Sequence, residues 1–305
     1  MTDIRAGAKV RAADYPPTVG ASDSTAQNNI TSTSYITGSP TVSVAFVAPT
    51  SGQVLVTVGM GARDDGGVNR AHLAPVVRLG NSGGTTVLAA DVTTRGVGSV
   101  GEAKAFHYAS RTSLLSGLTP GATYYAETRH KVSGGSSADI ATRDIAVVPV
   151  PLGGGRAGSE ILALDMPPAV QAIDTTQINN PGNTSYTSGT PEVGAEFIAP
   201  TSGRVLLIVG GGLGNGAGNR VFLSPQVWWW SGVDWVEVLA PGVPARGFAA
   251  HSSASGFHFG SRETLLEGLT PGAFYYAWVM HVMAGDGGAA VGDIACRQIT
   301  VVPVS

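Results

Sequence analysis

FVAPTSGQVLVTVG at 46–59 returns as FIAPTSGRVLLIVG at 197–210, an offset of 151 positions. Working outward, the same offset carries Arg5-Ala6-Gly7 onto Arg156-Ala157-Gly158 and Arg95-Gly96 onto Arg246-Gly247. It also carries GLTPGATYY at 117–125 onto GLTPGAFYY at 268–276. Toward the end the offset grows to 154, where VVPV at 147–150 meets VVPV at 301–304. The chain therefore reads as a tandem duplication of a module of about 150 residues, the size of one domain. The first repeat is expected over 1–150, a short glycine-rich link (PLGGG) over 151–155, and the second repeat over 156–305. What both copies keep belongs to the fold. What one copy changes marks where its duty diverged.

Two modules of this length can each bury a core without disulfides or metals. Cys296 is the sole cysteine and its counterpart is Thr142, which removes the cystine-stapled class. The opening MTDIRAGAKVRAADYPP has no apolar stretch of signal-peptide length, and no later run is long enough to cross a bilayer. The expectation is a soluble protein made in a host cytoplasm, with no membrane partner. A net charge of −3 points away from nucleic acid. Residues 1–151 hold 12 basic and 10 acidic side chains, and residues 152–305 hold 6 and 11, so the halves carry +2 and −5. That difference reads as drift on solvated surfaces. Fifteen arginines against three lysines suggest a GC-rich genome.

Forty-three glycines and 18 prolines punctuate the chain, and no stretch holds a 3.6-residue apolar period. Short β-branched runs between Gly, Pro, Asn and Ser indicate strands and turns. Val42, Val44 and Phe46 alternate with Ser43 and Ala45, as a half-buried strand requires. APTSG then turns the chain into a second strand at 53–58. Further strands are expected at 71–79, 85–90, 103–108, 122–132 and 139–148, each with an equivalent in the second copy. Helical turns are expected only near 112–116 and 263–267, ahead of the GLTPGA turn, with Leu118 and Leu269 plugging the sandwich end. The fold class is all-β, with two tandem β-sandwich, jelly-roll-like domains.

Candidate chemistry is sparse. There is no GxSxG, HExxH or Walker loop. GGGLGNGAGN at 210–219 follows a strand but opens no helix, so it reads as a sheet-end loop. Two histidines recur, His107 with His258 and His130 with His281, and neutral imidazole can bind metal. No carboxylate or third histidine accompanies them in both copies, which favours packing or hydrogen-bonding roles. Asp64-Asp65 lies in a glycine-rich loop but has no acidic counterpart, a weak case for calcium. Arg95 with Arg246, Arg111 with Arg262 and Arg143 with Arg297 are shared. They are expected to tie loops to backbone carbonyls or to salt-bridge strands. No catalytic residue, metal or cofactor is assigned, and the chain is not expected to be an enzyme.

The copies part ways in the strand after TPGA. Tyr124, Ala126, Thr128, His130 and Val132 share one face of it, and Glu127, Arg129 and Lys131 the other. A charged face of that kind belongs in water. In the second copy the first face persists as Tyr275, Ala277, Val279, His281 and Met283, while the other becomes Trp278, Met280 and Val282. A second strand changes likewise, Arg78 and Gly80 giving way to Trp228 and Trp230, with Trp235 just beyond a Ser-Gly turn. Trp228, Trp230, Trp278, Met280 and Val282 thus form a candidate partner-binding surface. Three occupants suit it: another structural subunit, the first module or a local loop, or a sugar ring.

SPTVSVAFVAPTSGQVLVTVG at 39–59, LLSGLTPGATYYAETRHKV at 114–132 and RDIAVVPV at 143–150 resemble β-sandwich virion structural proteins of actinobacterial tailed phages and prophages. The opening IRAGAKVRAADYPP is similar to the starts of minor tail and fibre-type proteins. The GLTPGA turn and following strand also resemble fibronectin type III modules. The strand–APTSG–strand unit is similar to jelly rolls of the complement globular-head and tumour-necrosis-factor group. The phage resemblance implies a non-enzymatic virion part, tail-associated or a capsid decoration, without cofactor. Its implied partners are other virion structural proteins and copies of itself. The alternative is a receptor- or carbohydrate-binding module acting on a host surface glycan.

Overall fold

The computed structural model describes residues 16–64, 70–98, 106–134, 137–150, 167–216, 220–249, 257–284 and 291–304. The opening segment, the PLGGG link, Asp65, His251 and the end of the glycine run at 217–219 lie outside them.

The first repeat contains β1 (Val19–Asp23), β2 (Gln27–Ile30), β3 (Ile36–Thr37), β4 (Ser43–Val47), β5 (Val54–Asp64) and β6 (Ala71–Leu79). It continues with β7 (Thr86–Leu88), α1 (Val92–Arg95), β8 (Val97–Gly98), β9 (His107–Leu115), β10 (Thr123–Val132) and β11 (Ala138–Pro149). The second repeat contains β12 (Val170–Asp174), β13 (Ile178–Asn179), β14 (Gly194–Ile198), β15 (Val205–Gly216) and β16 (Arg220–Trp230). After it come β17 (Trp235–Leu239), α2 (Val243–Arg246), β18 (Phe248–Ala249), β19 (His258–Leu266), β20 (Phe274–Ala284) and β21 (Val291–Pro303).

One layer of the first repeat runs β1-β11-β5-β9, and its equivalent runs β12-β21-β15-β19. The opposing layers place β10 between β4 and β6, and β20 between β14 and β16, with β17 at the edge beyond β16. Long strands alternate between layers along the chain, in the two-layered all-β sandwich arrangement expected. Each sandwich encloses its own core, around Phe46, Val58, Leu73 and Ile145 in one and Phe197, Leu207, Leu223 and Ile299 in the other.

The two turns quoted first clasp each other. Gly52 and Gly203 hold φ near +64° and +66°, and a Cβ there would stand 2.6 Å from the carbonyl oxygen of Leu118 or Leu269, so only glycine fits. In return the Leu118 and Leu269 amides donate to the Gly52 and Gly203 carbonyls at 3.0 Å. The Tyr124 and Tyr275 hydroxyls accept from the Thr119 and Thr270 amides at 2.9 Å. Leu118 and Leu269 are thereby driven into the sandwich ends, as anticipated.

The shared arginines tie chain to chain. Arg143 Nη2 donates to Asp23 Oδ1 at 2.8 Å, and its Nη1 to the Pro40 carbonyl at 3.0 Å. Arg297 repeats this with Asp174 at 2.9 Å and the carbonyls of Ser188 and Pro191. Arg111 donates to the carbonyls of Val92, Thr93 and Gly96, closing α1; Arg262 does the same to Val243, Ala245 and Gly247 around α2.

Two expectations are corrected. Residues 112–115 and 263–266 are strand, paired along β5 and β15, and the short helices lie instead at α1 and α2. Adjacent leucines looked helical because both faces of β9 are covered. Leu115 packs on the core and Leu114 on the other repeat. The described part of GGGLGNGAGN is also strand, inside β15. A Cβ at Gly212 would stand 2.3 Å from the Phe259 ring, so the glycine makes a flat bed for that side chain.

Phe259 belongs to the junction between the repeats. There it meets Val92 and Cys296 and stands edge-on to His72, while β19 pairs with β8 at Phe259 and Gly98. Leu55, Val150, Ala169, Ile208 and Val302 form a second apolar cluster across the same boundary. Between the clusters lies a buried polar lock. Arg111 Nη2 donates to Gln298 Oε1 at 2.9 Å, and Gln298 Nε2 to the Thr112 carbonyl at 3.2 Å. Cys296 Sγ donates to the Thr93 carbonyl, and burial pushes its thiol pKa up. Gln298→Ala leaves a buried guanidinium N–H and a buried carbonyl unpaired, at a cost of about 1–3 kcal/mol. The expected result is a lower urea midpoint than wild type; an unchanged midpoint would show that the lock contributes nothing to stability.

Candidate functional site

The two-residue period of β20 sends Tyr275, Ala277, Val279, His281 and Met283 into the core, all nearly fully buried. Tyr276, Trp278, Met280 and Val282 take the outer face. Pairing sets them beside the outward residues of β16: Trp228 opposite Tyr276, Gln226 opposite Trp278, Ser224 opposite Met280 and Phe222 opposite Val282. On the other flank β14 brings Glu196 opposite Tyr276 and Gly194 opposite Trp278.

These strands form an open groove of about 360 Å³ lined by Glu192, Glu196, Trp228, Trp235, Tyr276 and Trp278. The Tyr276 and Trp278 rings meet edge to face at 5.3 Å. Trp235 leans over the groove end, 5.3 Å from Trp230 and 6.4 Å from Tyr276. Gly194 lets the Tyr276 side chain lie directly over β14, since a Cβ there would lie 2.4 Å from the Tyr276 hydroxyl. Burial, with the Glu192 and Glu196 charges, pushes the Tyr276 hydroxyl pKa up. The indole Nε1 atoms of Trp228 and Trp278 are shielded and lack a hydrogen-bond partner among the described residues. Gln226 Nε2 donates to Glu237 Oε1 at 2.6 Å, which fixes the amide between β16 and β17.

Of the five residues proposed from sequence, Trp228 and Trp278 line the groove and Trp230 stands at its rim, 38% exposed. Met280 does not belong to an open surface: it is 8% exposed. The segment before α2 crosses its end of the sheet, where the Gly242 amide donates to Ser224 Oγ and the Val243 amide to the Tyr186 hydroxyl. Val282 is half-buried at that same end, opposite Phe222 and away from the groove. The outer face is thus divided into a half covered by the chain itself and an open aromatic half.

Sequence reasoning missed Glu192, Glu196 and Tyr276 as groove residues. The signal was present, since Glu192, Gly194 and Glu196 alternate with the buried Val193, Ala195 and Phe197. Their counterparts Thr41 and Ala45 carry no charge.

The first repeat departs from expectation on the equivalent face. Glu127 is buried, not solvated, because Arg78 Nη1 and Arg129 Nε both donate to its Oε1 at 2.8 Å. Lys131 lies 4.8 Å above the Tyr35 ring. The buried Glu127 carboxylate is thus compensated by the two guanidiniums.

The recurring histidines do not assemble a metal site. No group of three His, Cys, Asp or Glu suited to an ion occurs among the described residues. His130 and His281 sit in separate cores, and His258 stacks on Phe248 at 5.9 Å. Burial, helped by the adjacent Arg143 and Arg297 guanidiniums, lowers His130 and His281 to about 4.

No family model matches this sequence, and no curated protein matches it. Among solved structures it is similar to the tandem CBM22-1–CBM22-2 domains of Paenibacillus barcinonensis Xyn10C. That match has 10% identity over 94% of this chain and 93% of the other, with a TM-score of 0.29. PNGF-II matches at 7% identity over 94% and 65%, TM-score 0.36. The VP2 subviral particle of infectious bursal disease virus matches at 8% over 95% and 72%, TM-score 0.29.

Because the native imidazoles titrate below their ordinary value of 6.5, the unfolded chain takes up their protons first on acidification. Stability is therefore retained above pH 6.5 and lost as pH falls toward 4, on the order of 3 kcal/mol for each histidine. Urea midpoints at pH 7 and pH 4.5 are expected to diverge more for wild type than for the His130→Gln/His281→Gln double variant. Equal divergence would remove the histidines from the acid response.

Proposed function

We propose that this chain is a non-catalytic recognition protein of a virion surface, and that the groove of its second repeat holds a sugar ring of the host envelope. The observation that carries the reading is the convergence of Trp228, Trp235, Tyr276 and Trp278 with two carboxylates around one open space. The apolar C–H face of a pyranose packs on indole and phenol faces, while carboxylates and the Tyr276 hydroxyl bond its hydroxyl groups. The phage resemblance of the turn and strand motifs supplies the virion setting.

The assembly reading keeps one observation of its own. Strand β17 is a sheet edge, and Trp235, Val236 and Val238 stand exposed along it, with Val233 in the turn before it. An uncovered apolar edge of this kind suits pairing with another protein subunit.

Trp278→Ala and Trp228→Ala are each expected to weaken binding to host cell-wall polysaccharide by about tenfold, since each removes a large aromatic face on which the ring packs. Affinity electrophoresis beside a thermal melt reads both affinity and folding. Undiminished retention in folded variants would sink the sugar reading. Val236→Lys separates the assembly role: it is expected to reduce the mass in light scattering without changing retention.

A further inference from the structure

The groove carries more negative charge than a neutral sugar requires. Its described lining holds Glu192 and Glu196 and no cationic side chain. Ser188 Oγ donates to Glu192 Oε1 at 3.0 Å, and neither carboxylate has an ion pair among the described residues. Both act on the Tyr276 hydroxyl, which places them within electrostatic reach of the aromatic faces.

Comparison of the repeats sharpens this. On the first copy's face stand Arg78, Arg129 and Lys131 against Glu127, a balance of +2. Their counterparts Trp228, Met280, Val282 and Trp278 are all neutral, while Thr41 and Ala45 have become Glu192 and Glu196, a balance of −2. This one face accounts for four of the seven charge units by which the repeats differ, +2 against −5, before Glu237 is counted. Drift would have scattered such changes over the surface. Around the groove itself Arg78 and Glu127 correspond to Trp228 and Trp278 and two carboxylates are added, while Arg129 and Lys131 correspond to Met280 and Val282 at the covered end of the same face.

Aromatic faces and unpaired carboxylates share one preference. The ring quadrupole and the carboxylate both attract a cation, and the attraction grows as water is displaced. A neutral acetamide gains from neither effect.

Building on the sugar reading above, we propose that the ligand of this groove is an amino sugar with a free, protonated amine, its ring packed on Trp228 and Trp278 and its ammonium directed to Glu192 and Glu196. N-acetylation would remove the charge and add bulk beside the carboxylates, so the groove distinguishes the deacetylated sugar from the acetylated one.

The test is isothermal titration of the full chain at pH 6 with a glucosamine trisaccharide, its fully N-acetylated counterpart, and spermidine. The expected result is about tenfold tighter binding of the amine sugar than of the acetylated one. That preference should disappear in the Glu192→Gln/Glu196→Gln variant, whose folding is checked by its melting curve. Trp278→Ala should lose both sugars. Equal or tighter binding of the acetylated sugar overturns the proposal and leaves sugar recognition standing. Binding of neither sugar overturns both, and spermidine binding as tightly as the amine sugar reduces the site to unspecific attraction of cations, overturning the proposal as well.

Discussion

Strand β20 can show only every second side chain to the outside. Tyr275, Ala277, Val279, His281 and Met283 are committed to the core, and the same five positions in β10 are committed in the same way. A change that shifted the strand by one residue would exchange the two faces and destroy the sandwich. Inward differences therefore keep buried side chains, Thr128 against Val279 and Val132 against Met283, while the changes of charge fall on outward positions, where Tyr125 matches Tyr276 and Glu127 corresponds to Trp278. Everything proposed for the groove depends on that register. It is held at one end by the clasp between the Gly203 and Leu269 turns, and farther along by Arg297, which joins β21 to the segment ahead of β14.

The same logic explains why the two copies solve the outer face differently. In the first repeat Arg78 and Arg129 converge on one oxygen of Glu127, so a buried carboxylate is compensated within hydrogen-bonding distance. Replacing Glu127 alone would have left two guanidiniums unpaired. The second copy differs at all three positions together, with Trp278, Trp228 and Met280, which leaves no orphaned charge. Its carboxylates stand on β14 and the residues leading into it, at positions where the first copy carries no charge.

Much of the architecture was legible because the chain states it twice. Turn chemistry at APTSG and GLTPGA, the inward face of β10 and β20, and the loop-tying role of Arg143 and Arg297 all follow from residues that both copies share. Less legible were features that depend on what lies opposite a strand. Leu114-Leu115 resembled a helical turn because a strand covered on both faces loses its alternation. The glycines of β15 resembled a loop because the ring they accommodate, Phe259, is far away in sequence. Met280 was placed in the open because period alone cannot say which half of a face a neighbouring segment crosses. The groove carboxylates were not legible from the aromatic strands alone, because Glu196 lies on β14 and Glu192 on the chain leading into it, which pairing brings alongside β20.

A sandwich has two outer faces, and in the second repeat each has been altered for a different physical reason. The β15–β21 face lies against the first repeat, and there Asp144 of the first copy is replaced by Gln298. Asp144 itself is half-buried with its carboxyl pKa raised by desolvation, so full burial of an acid at that position would be costly. An amide both donates to the Thr112 carbonyl and accepts from Arg111, which a carboxylate cannot do. The β14–β17 face points the opposite way and differs in the opposite sense, carrying Glu192 and Glu196 near water and lacking the Arg78 and Arg129 cations that neutralise Glu127 in the first copy. Since the first repeat occupies the far side of the sandwich, it buttresses the groove without standing in front of it. On the proposed reading the duplication supplies a support and a recognition surface from two copies of one module, with the division of labour written in which face lacks charge and which face carries it.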